Sequence, residues 1–385
     1  MSSPALVLIT TSFPISGDGS EAAGSFVSDL AEELAKHVPV RVVAPGRLAV
    51  REQWSPGVEV FRYAAPAKPL STLKPWQVGD IARVLRDGAR ATREAVAAGP
   101  CAHMLALWAL PSGAWARRAS IATGVPYSVW TLGSDIWTLA RIPLVRSQLR
   151  CVLREAHACY SDGLKLAEDT RRLARRNVSF LPSARRIESR RERPLADAPP
   201  YRLLFLGRWH RNKGVDLLLD ALDLLDDADW SRIACVEIQG GGPLDSLVRR
   251  RVASLRSRGC PVEAGHFLAK ADAEAAISRA DWMLIPSRIE SIPVIFSDAM
   301  KMRLPVIAMP VGDLSELISV HGTGHVASAV SAKAFALVLN RALGDAPSLY
   351  MHALSDMEAC FDLDRATTQR VLKMLLDHQC GSHNV

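Results

Sequence analysis

The chain has 385 residues, 49% apolar and 23% charged, a balance that suits a globular protein with room for two domains. Its seven cysteines are scattered with no C-x-x-C pair, and no run of about 18 apolar residues occurs, which speaks against a disulfide framework, a zinc site and a spanning helix. The net charge of +7 is uneven, with 27 Lys/Arg against 17 Asp/Glu in residues 1–196 and 20 against 23 beyond. No zinc finger, basic zipper or ribonucleoprotein aromatic motif accompanies that excess, so nucleic acid is not expected as a partner.

From the N-terminus, β-branched runs alternate with helical patterns, as in parallel sheets built from βαβ units. Strands are expected at Ala5–Thr10, Val40–Ala44, Val58–Tyr63, His103–Ala106, Tyr127–Thr131 and Ala158–Ser161. Residues 1–10 lack a basic leader and read as a buried strand, not a signal peptide, and the odd, dispersed cysteines imply reduced thiols, so a cytoplasmic protein is expected. A loop from Thr11 to Phe26 carries Gly17, Gly19 and Gly24 and leads into a helix at Ser25–His37. Further helices fit Trp76–Ala98 and Ser112–Ile121, and the turn Val129–Trp137 holds Leu132, Gly133 and Asp135. Residues 141–193 are densest in arginine, which suits either an anionic partner such as lipid headgroups or a solvated helix face plus a basic linker.

Residues 183–200 combine five arginines with three prolines and no apolar periodicity, and are read as an interdomain linker. They separate a first domain (1–182) from a second (201–361). The second domain repeats the alternation, with strands at Arg202–Leu206, Ala234–Gln239, Val262–Phe267, Trp282–Ile285 and Pro305–Met309. Its helices fit Val215–Leu225, Leu244–Leu255, Asp272–Arg279, Val294–Met302 and Leu314–Ile318. Two Rossmann-like domains facing across a cleft follow from this series. At the end of its first strand, Gly207 permits close backbone approach, Arg208 offers a planar fork and Lys213 a compact charge, a combination suited to phosphate oxygens. Gly240–Gly241–Gly242–Pro243 follows a strand and opens a helix, so its amides are free to meet a nucleotide, or it is merely a connector. His266, in Gly265–His266–Phe267, is as readily structural as ligand-contacting.

Glu290 and Asp298 lie eight residues apart across the expected start of a helix. Pro293 suits the first helical position, leaving the Ser291 and Ile292 amides to face an anion. Asp298 would then lie about 7–8 Å further along the axis. Such a segment can hold a diphosphate in its middle and hydroxyls at either end. An ordinary buried helix is the plainer alternative.

These motifs resemble family 4 retaining glycosyltransferases, of the GT-B fold. The resemblance covers nearly the whole chain and rests on three blocks: Gly207-Arg208 with Lys213-Gly214, the Gly-Gly-Pro-Leu turn, and Glu290 through Asp298-Ala-Met to Leu304-Pro-Val-Ile-Ala308. It implies an α/β chain that moves a sugar from a nucleoside-diphosphate donor to a hydroxyl acceptor without a metal or other cofactor. Glu290, Arg208 and Lys213 take the catalytic roles. The donor is bound by Gly207, Gly241, Gly242, Pro243, His266 and the backbone of Ser291, Ile292, Pro293 and Val294, with Asp298 on the ribose. Gly17, Gly19, Gly24, Leu132, Gly133 and Asp135 shape the acceptor side.

The chain departs from the family pattern at Leu132, where relatives carry His, and at Leu105 and Leu107, where His is frequent. In this family the leaving phosphate is thought to take the acceptor's proton, so a side-chain base is not obligatory. Residues 362–385 are expected to form a helix crossing back to the first domain. The acceptor expected is a glycan or lipid-linked glycan, with peripheral contact to an anionic membrane at its inner face. A non-catalytic sugar-nucleotide-binding partner of another transferase is the rival reading, and an epimerase a more distant one.

Overall fold

The computed structural model describes residues 3–15, 24–66, 77–191 and 193–374. The chain folds as two units, crossing from the first to the second at Pro182–Ser183 and returning at Leu363. Gly17, Gly19, Trp76 and residues 375–385, the end of the expected C-terminal helix, lie outside the described residues.

The first unit is built on β1 (Ala5–Ile9), β2 (Val40–Gly46), β3 (Arg51–Ser55), β4 (Val58–Ala64), β5 (Cys101–Leu107), β6 (Tyr127–Thr131), β7 (Cys159–Ser161) and β8 (Ser179–Phe180), in the order β3-β4-β2-β1-β5-β6-β7-β8. Among the described residues, only the β3–β4 pair of this sheet is antiparallel. Every residue of β1 is buried, as a central parallel strand covered on both faces must be. The helix Ser25–Ala35 turns Val27, Leu30, Ala31 and Leu34 inward at helical spacing. Two helices that the sequence reading left unassigned, Pro143–Glu155 and Leu164–Ala174, occupy the arginine-rich stretch and bury Leu149, Val152, Leu153, Leu166 and Leu173. Past the return point, residues 363–368 form a π-helical turn, and the Thr367 hydroxyl donates to Pro182 O at 2.8 Å.

The second unit carries β9 (Tyr201–Arg208), β10 (Ile233–Gly241), β11 (Val262–Ala264), β12 (Trp282–Ile285), β13 (Val306–Ala308) and β14 (Gly324–Val326), all parallel, in the order β11-β10-β9-β12-β13-β14. Counted from its own first strand this is the doubly wound order 3-2-1-4-5-6. The order reverses between β9 and β12, and in such sheets ligands bind outside the carboxyl ends of the strands at that point.

Residues 183–191 lack regular structure, yet they do not behave as a free basic linker. Arg185 pairs with Asp298, Glu274 accepts from the Glu188 and Ser189 amides, and Arg193 pairs with Asp281. Arg191 donates to the Ile277 and Ala280 carbonyls at the end of helix Lys270–Arg279, where a cation complements the exposed carbonyls and the dipole. In the first unit Arg176 binds the Leu153 and Arg154 carbonyls at the end of helix Pro143–Glu155, and Arg41 binds Ala95 and Gly99 after helix Val78–Ala97. Arg41, Arg176 and Arg191 therefore close helix ends instead of standing free in solvent.

Candidate functional site

At the switch point the chain leaves β9 through Gly207, Arg208 and Trp209, makes a short turn at Arg211–Lys213, and enters the helix Val215–Leu222 through Gly214. Gly214 adopts φ 72°, and a Cβ there would lie 1.8 Å from Pro286 O. Only glycine allows that approach, which brings the Lys213 turn against the chain leaving β12. Arg288 fastens the two loops by a forked pair with Asp216, at 2.7 and 2.8 Å, and its amide donates to Asn212 O. Burial works against the Asp216 carboxylate, but the Arg288 bonds and charge outweigh it and hold its pKa below the ordinary value.

The result is an ion pair between Lys213 Nζ and Glu290 Oε1, with the Ser287 hydroxyl 3.5 Å from the same oxygen. Arg208 is half-buried, and among the described residues its side chain makes no hydrogen bond or ion pair, while its carbonyl accepts from His210 N. Burial and then the charges of Arg208 and Lys213 lower the His210 pKa, favouring its neutral imidazole. His210 Nδ1 accepts from the Asn212 amide and so shapes the turn.

Beside this pair, β10 ends in the glycine turn. A Cβ on Gly240 would meet Gly207 O at 1.9 Å, and one on Gly242 would meet Trp209 O at 3.0 Å and Arg208 Cγ at 3.3 Å. Gly207, Arg208, Gly241, Gly242 and Pro243 are thus gathered at one sheet end together with Lys213 and Glu290. His266 contributes through its backbone, whose carbonyl accepts from Gly240 N, while its side chain is exposed. Sequence reasoning passed over Phe267. This exposed aromatic lies against Gly241, where a Cβ would come within 2.8 Å of the ring. The signal available was a large apolar residue directly after a turn already suspected of meeting a nucleotide.

Pro293 is the N-cap of helix Val294–Lys301, not its first residue as expected: its ψ of 139° is extended, which the missing N–H tolerates equally well. Gly312, at φ 52°, lets the next turn touch the Glu290 and Ser291 carbonyls, and Asp313 N donates to Ser291 O at 3.2 Å. Ser291, Ile292 and Pro293 are buried and Val294 is half-buried.

Asp298 departs from expectation. It is 1% exposed, and its Oδ2 takes Arg185 Nε at 2.9 Å and a terminal Arg185 nitrogen at 2.6 Å. Its Oδ1 accepts no hydrogen bond and has the Lys301 ammonium 3.5 Å away. The carboxylate expected on the ribose is here an internal ion-pair partner, because the arginine that the sequence reading left in the linker reaches it first.

In the first unit, Asp135 organises the turn after β6, the one expected on the acceptor side, from a fully buried position. Its Oδ2 accepts from Ala109 N at 2.7 Å, and its Oδ1 from Ile136 N at 3.1 Å and Leu132 N at 3.4 Å. Burial pushes its pKa up to about 6 against the pull of those bonds. The carboxylate thereby ties the ends of β5 and β6, where Gly133 takes φ 103° and Trp108 the left-handed φ 69° that side chains other than glycine seldom adopt. Leu132 is half-buried, and Leu105 and Leu107 are fully buried strand residues. Gly24, at φ 75°, caps the first helix against Ser12 O. Among the described residues no group of three or more His, Cys, Asp or Glu is placed to hold a metal ion. No helix among them is long and apolar enough to cross a membrane.

Residues 200–345 match the family model described as glycosyl transferases group 1. The chain is 30% identical over 166 residues to α-D-kanosaminyltransferase of Streptomyces kanamyceticus, covering 42% of this chain and 41% of that protein. It is 23% identical over 229 residues to the putative teichuronic acid biosynthesis glycosyltransferase TuaC of Bacillus subtilis (strain 168), covering 56% and 54%. The chain thus spans about half the length of these sequence relatives. Among solved structures it is similar to sucrose-phosphate synthase from Thermosynechococcus elongatus, with TM-score 0.73 and 18% identity over 99% of this chain and 100% of that one. It is also similar to Anabaena HepE in complex with UDP-glucose, with TM-score 0.68 and 15% identity over 97% and 99%. These likenesses establish the fold class as α/β, GT-B, with two Rossmann-like units, and they support the resemblance drawn from the motifs.

Proposed function

We propose that the chain is a retaining glycosyltransferase, moving a sugar from a nucleoside-diphosphate donor to a hydroxyl acceptor in the assembly of a polysaccharide or glycolipid. The observation that carries this reading is the unpaired Arg208 beside the Lys213–Glu290 pair at the switch point of a doubly wound sheet. Arg208 offers a fork to the diphosphate oxygens and Lys213 a point charge, and both gain strength as negative charge builds on the departing diphosphate. Glu290, released from Lys213, orients hydroxyls of the donor sugar. The Ser291–Val294 backbone faces the diphosphate, and the Phe267 ring offers the base an apolar face. Leu132 supplies no proton acceptor, which fits a reaction in which the leaving phosphate takes the acceptor's proton and configuration is retained. The relatives named above are glycosyltransferases by name, and HepE was solved with UDP-glucose.

Calorimetry with UDP and GDP tests the reading. One of the two is expected to bind equally well with and without EDTA, since Arg208 and Lys213 supply the countercharge. Binding that requires magnesium or manganese, or no binding at all, ends it. Incubation with the matching donor sugars then separates an enzyme from a scaffold, and the anomeric configuration of the product by NMR reports retention.

The proposal extends to a lipid-linked acceptor at an anionic membrane face. Arg141, Arg146 and Arg150 on the first unit make no ion pair among the described residues, and beside them Leu144 is 86% exposed and Ile142 51%. Each cation near such a surface contributes roughly 1 kcal/mol. Vesicles rich in phosphatidylglycerol should carry the protein upward on flotation at low salt. Protein left at the bottom of the gradient removes the membrane clause.

A further inference from the structure

We propose that Arg185 is a positioning residue of the donor site, setting the Ser291–Val294 backbone through Asp298. The inference rests on the donor-site reading above and adds a residue that reading does not use. Its ground is a closed set of contacts around one short helix. Arg185 gives two nitrogens to Asp298 Oδ2, Lys301 Nζ donates back to Arg185 O, and the same ammonium lies 3.5 Å from Asp298 Oδ1. Ser183, Ala184 and Arg185 are themselves buried, so the anchor is part of the packed interior.

Helix Val294–Lys301 spans only eight residues, about 12 Å. A body that small is steered by whatever holds its sides. Phe361 packs edge-on against Phe296, with centroids 5.7 Å apart, and Arg303 just beyond its end pairs with Glu358. At its start, the Gly312 turn presses on the Glu290 and Ser291 carbonyls. Arg185 supplies the charged hold in the middle of the helix, one turn from the amides that meet the diphosphate. Loosening it rolls the helix and misaims those amides, and a displacement of about 1 Å at such a site costs on the order of 100-fold in rate.

The ribose role first expected for Asp298 and the positioning role assigned to Arg185 make opposite predictions for a ligand without ribose. Calorimetry with UDP, GDP and inorganic pyrophosphate, on the wild type and two variants, decides between them. Arg185→Met alone strands a buried carboxylate and is prone to misfold. Arg185→Met/Asp298→Leu removes the pair together, and Arg185→Lys keeps a charge without the fork. In the double variant, affinity for the nucleotide and for pyrophosphate should fall in parallel, by about 10-fold or more, at a melting temperature near that of the wild type, and Arg185→Lys should recover part of both. If nucleotide binding falls while pyrophosphate binding holds, Asp298 is a ribose ligand and the proposal is overturned. It is equally overturned if neither falls. Wild type that binds none of the three ligands refutes the donor-site reading, and this proposal with it.

Discussion

Lys213→Ala should lower kcat/KM for the donor by about 10²–10³-fold, equivalent to roughly 3–4 kcal/mol of lost stabilisation of the departing diphosphate. The loss should fall mainly on kcat, because the charge that Lys213 meets grows as the glycosidic bond breaks. UDP or GDP affinity should drop far less, since Arg208 remains unpaired and available. Stability should scarcely change. The Lys213 side chain is 37% exposed, and a pair that open to solvent contributes about 1 kcal/mol or less. Glu290→Gln keeps the size and one acceptor of the carboxylate, so its cost should be smaller, about 10–100-fold. The double variant should cost less than the product of the two, because each single change also alters the other's partner. Steady-state kinetics on all three variants, with melting curves as the control, checks this. Transfer by Lys213→Ala within threefold of wild type would remove Lys213 from the chemistry.

The sequence shows this cluster clearly because its parts announce themselves locally. Gly207 and Arg208 close a strand whose Leu203–Leu206 form a continuous apolar run, Lys213 follows within one short turn, and Glu290 comes after another strand. In the second unit, Trp282–Ile285 matches its expected strand at both ends, and the other four expected strands fall within three residues of those observed. Legibility fails where the determining partner is far away. Nothing near Arg185 marks it among five arginines, and the carboxylate it holds lies 113 residues on. The helices Pro143–Glu155 and Leu164–Ala174 were hidden because four arginines in 141–154 and four in 171–176 dominate their composition. Their buried leucines nonetheless keep helical spacing. The strand Arg51–Ser55 has no apolar alternation to betray it, being an edge strand held only by β4. The apolar residues at 105, 107 and 132 were visible as departures from a family pattern. That Asp135 organises the turn around them was not, because its amide partners come from two different strand ends.

Asp135→Asn should destabilise the protein by about 2–3 kcal/mol at pH 7, from one position in the first unit. The carboxylate accepts three backbone N–H groups in a fully buried place. An amide turns one of its two ends into a donor facing a donor, and each buried backbone group left without a partner costs about 1–3 kcal/mol. The wild-type pH dependence has a definite sign. The folded-state pKa of about 6 lies above the ordinary 3.8 because burial disfavours the charge. The folded protein therefore holds this proton more firmly than the unfolded chain does. The stability linked to it is fully present below about pH 4 and is lost as pH rises to 6, amounting to at most about 3 kcal/mol. The amide that Asp135→Asn introduces does not titrate, so that part of the slope should vanish from the variant. Denaturant unfolding of both proteins at pH 4.5, 6 and 7.5 reads the effect directly: the gap between them should be widest at pH 4.5 and narrow towards 7.5. A gap independent of pH would mean that Asp135 is ionised throughout, with its three amide bonds outweighing its burial.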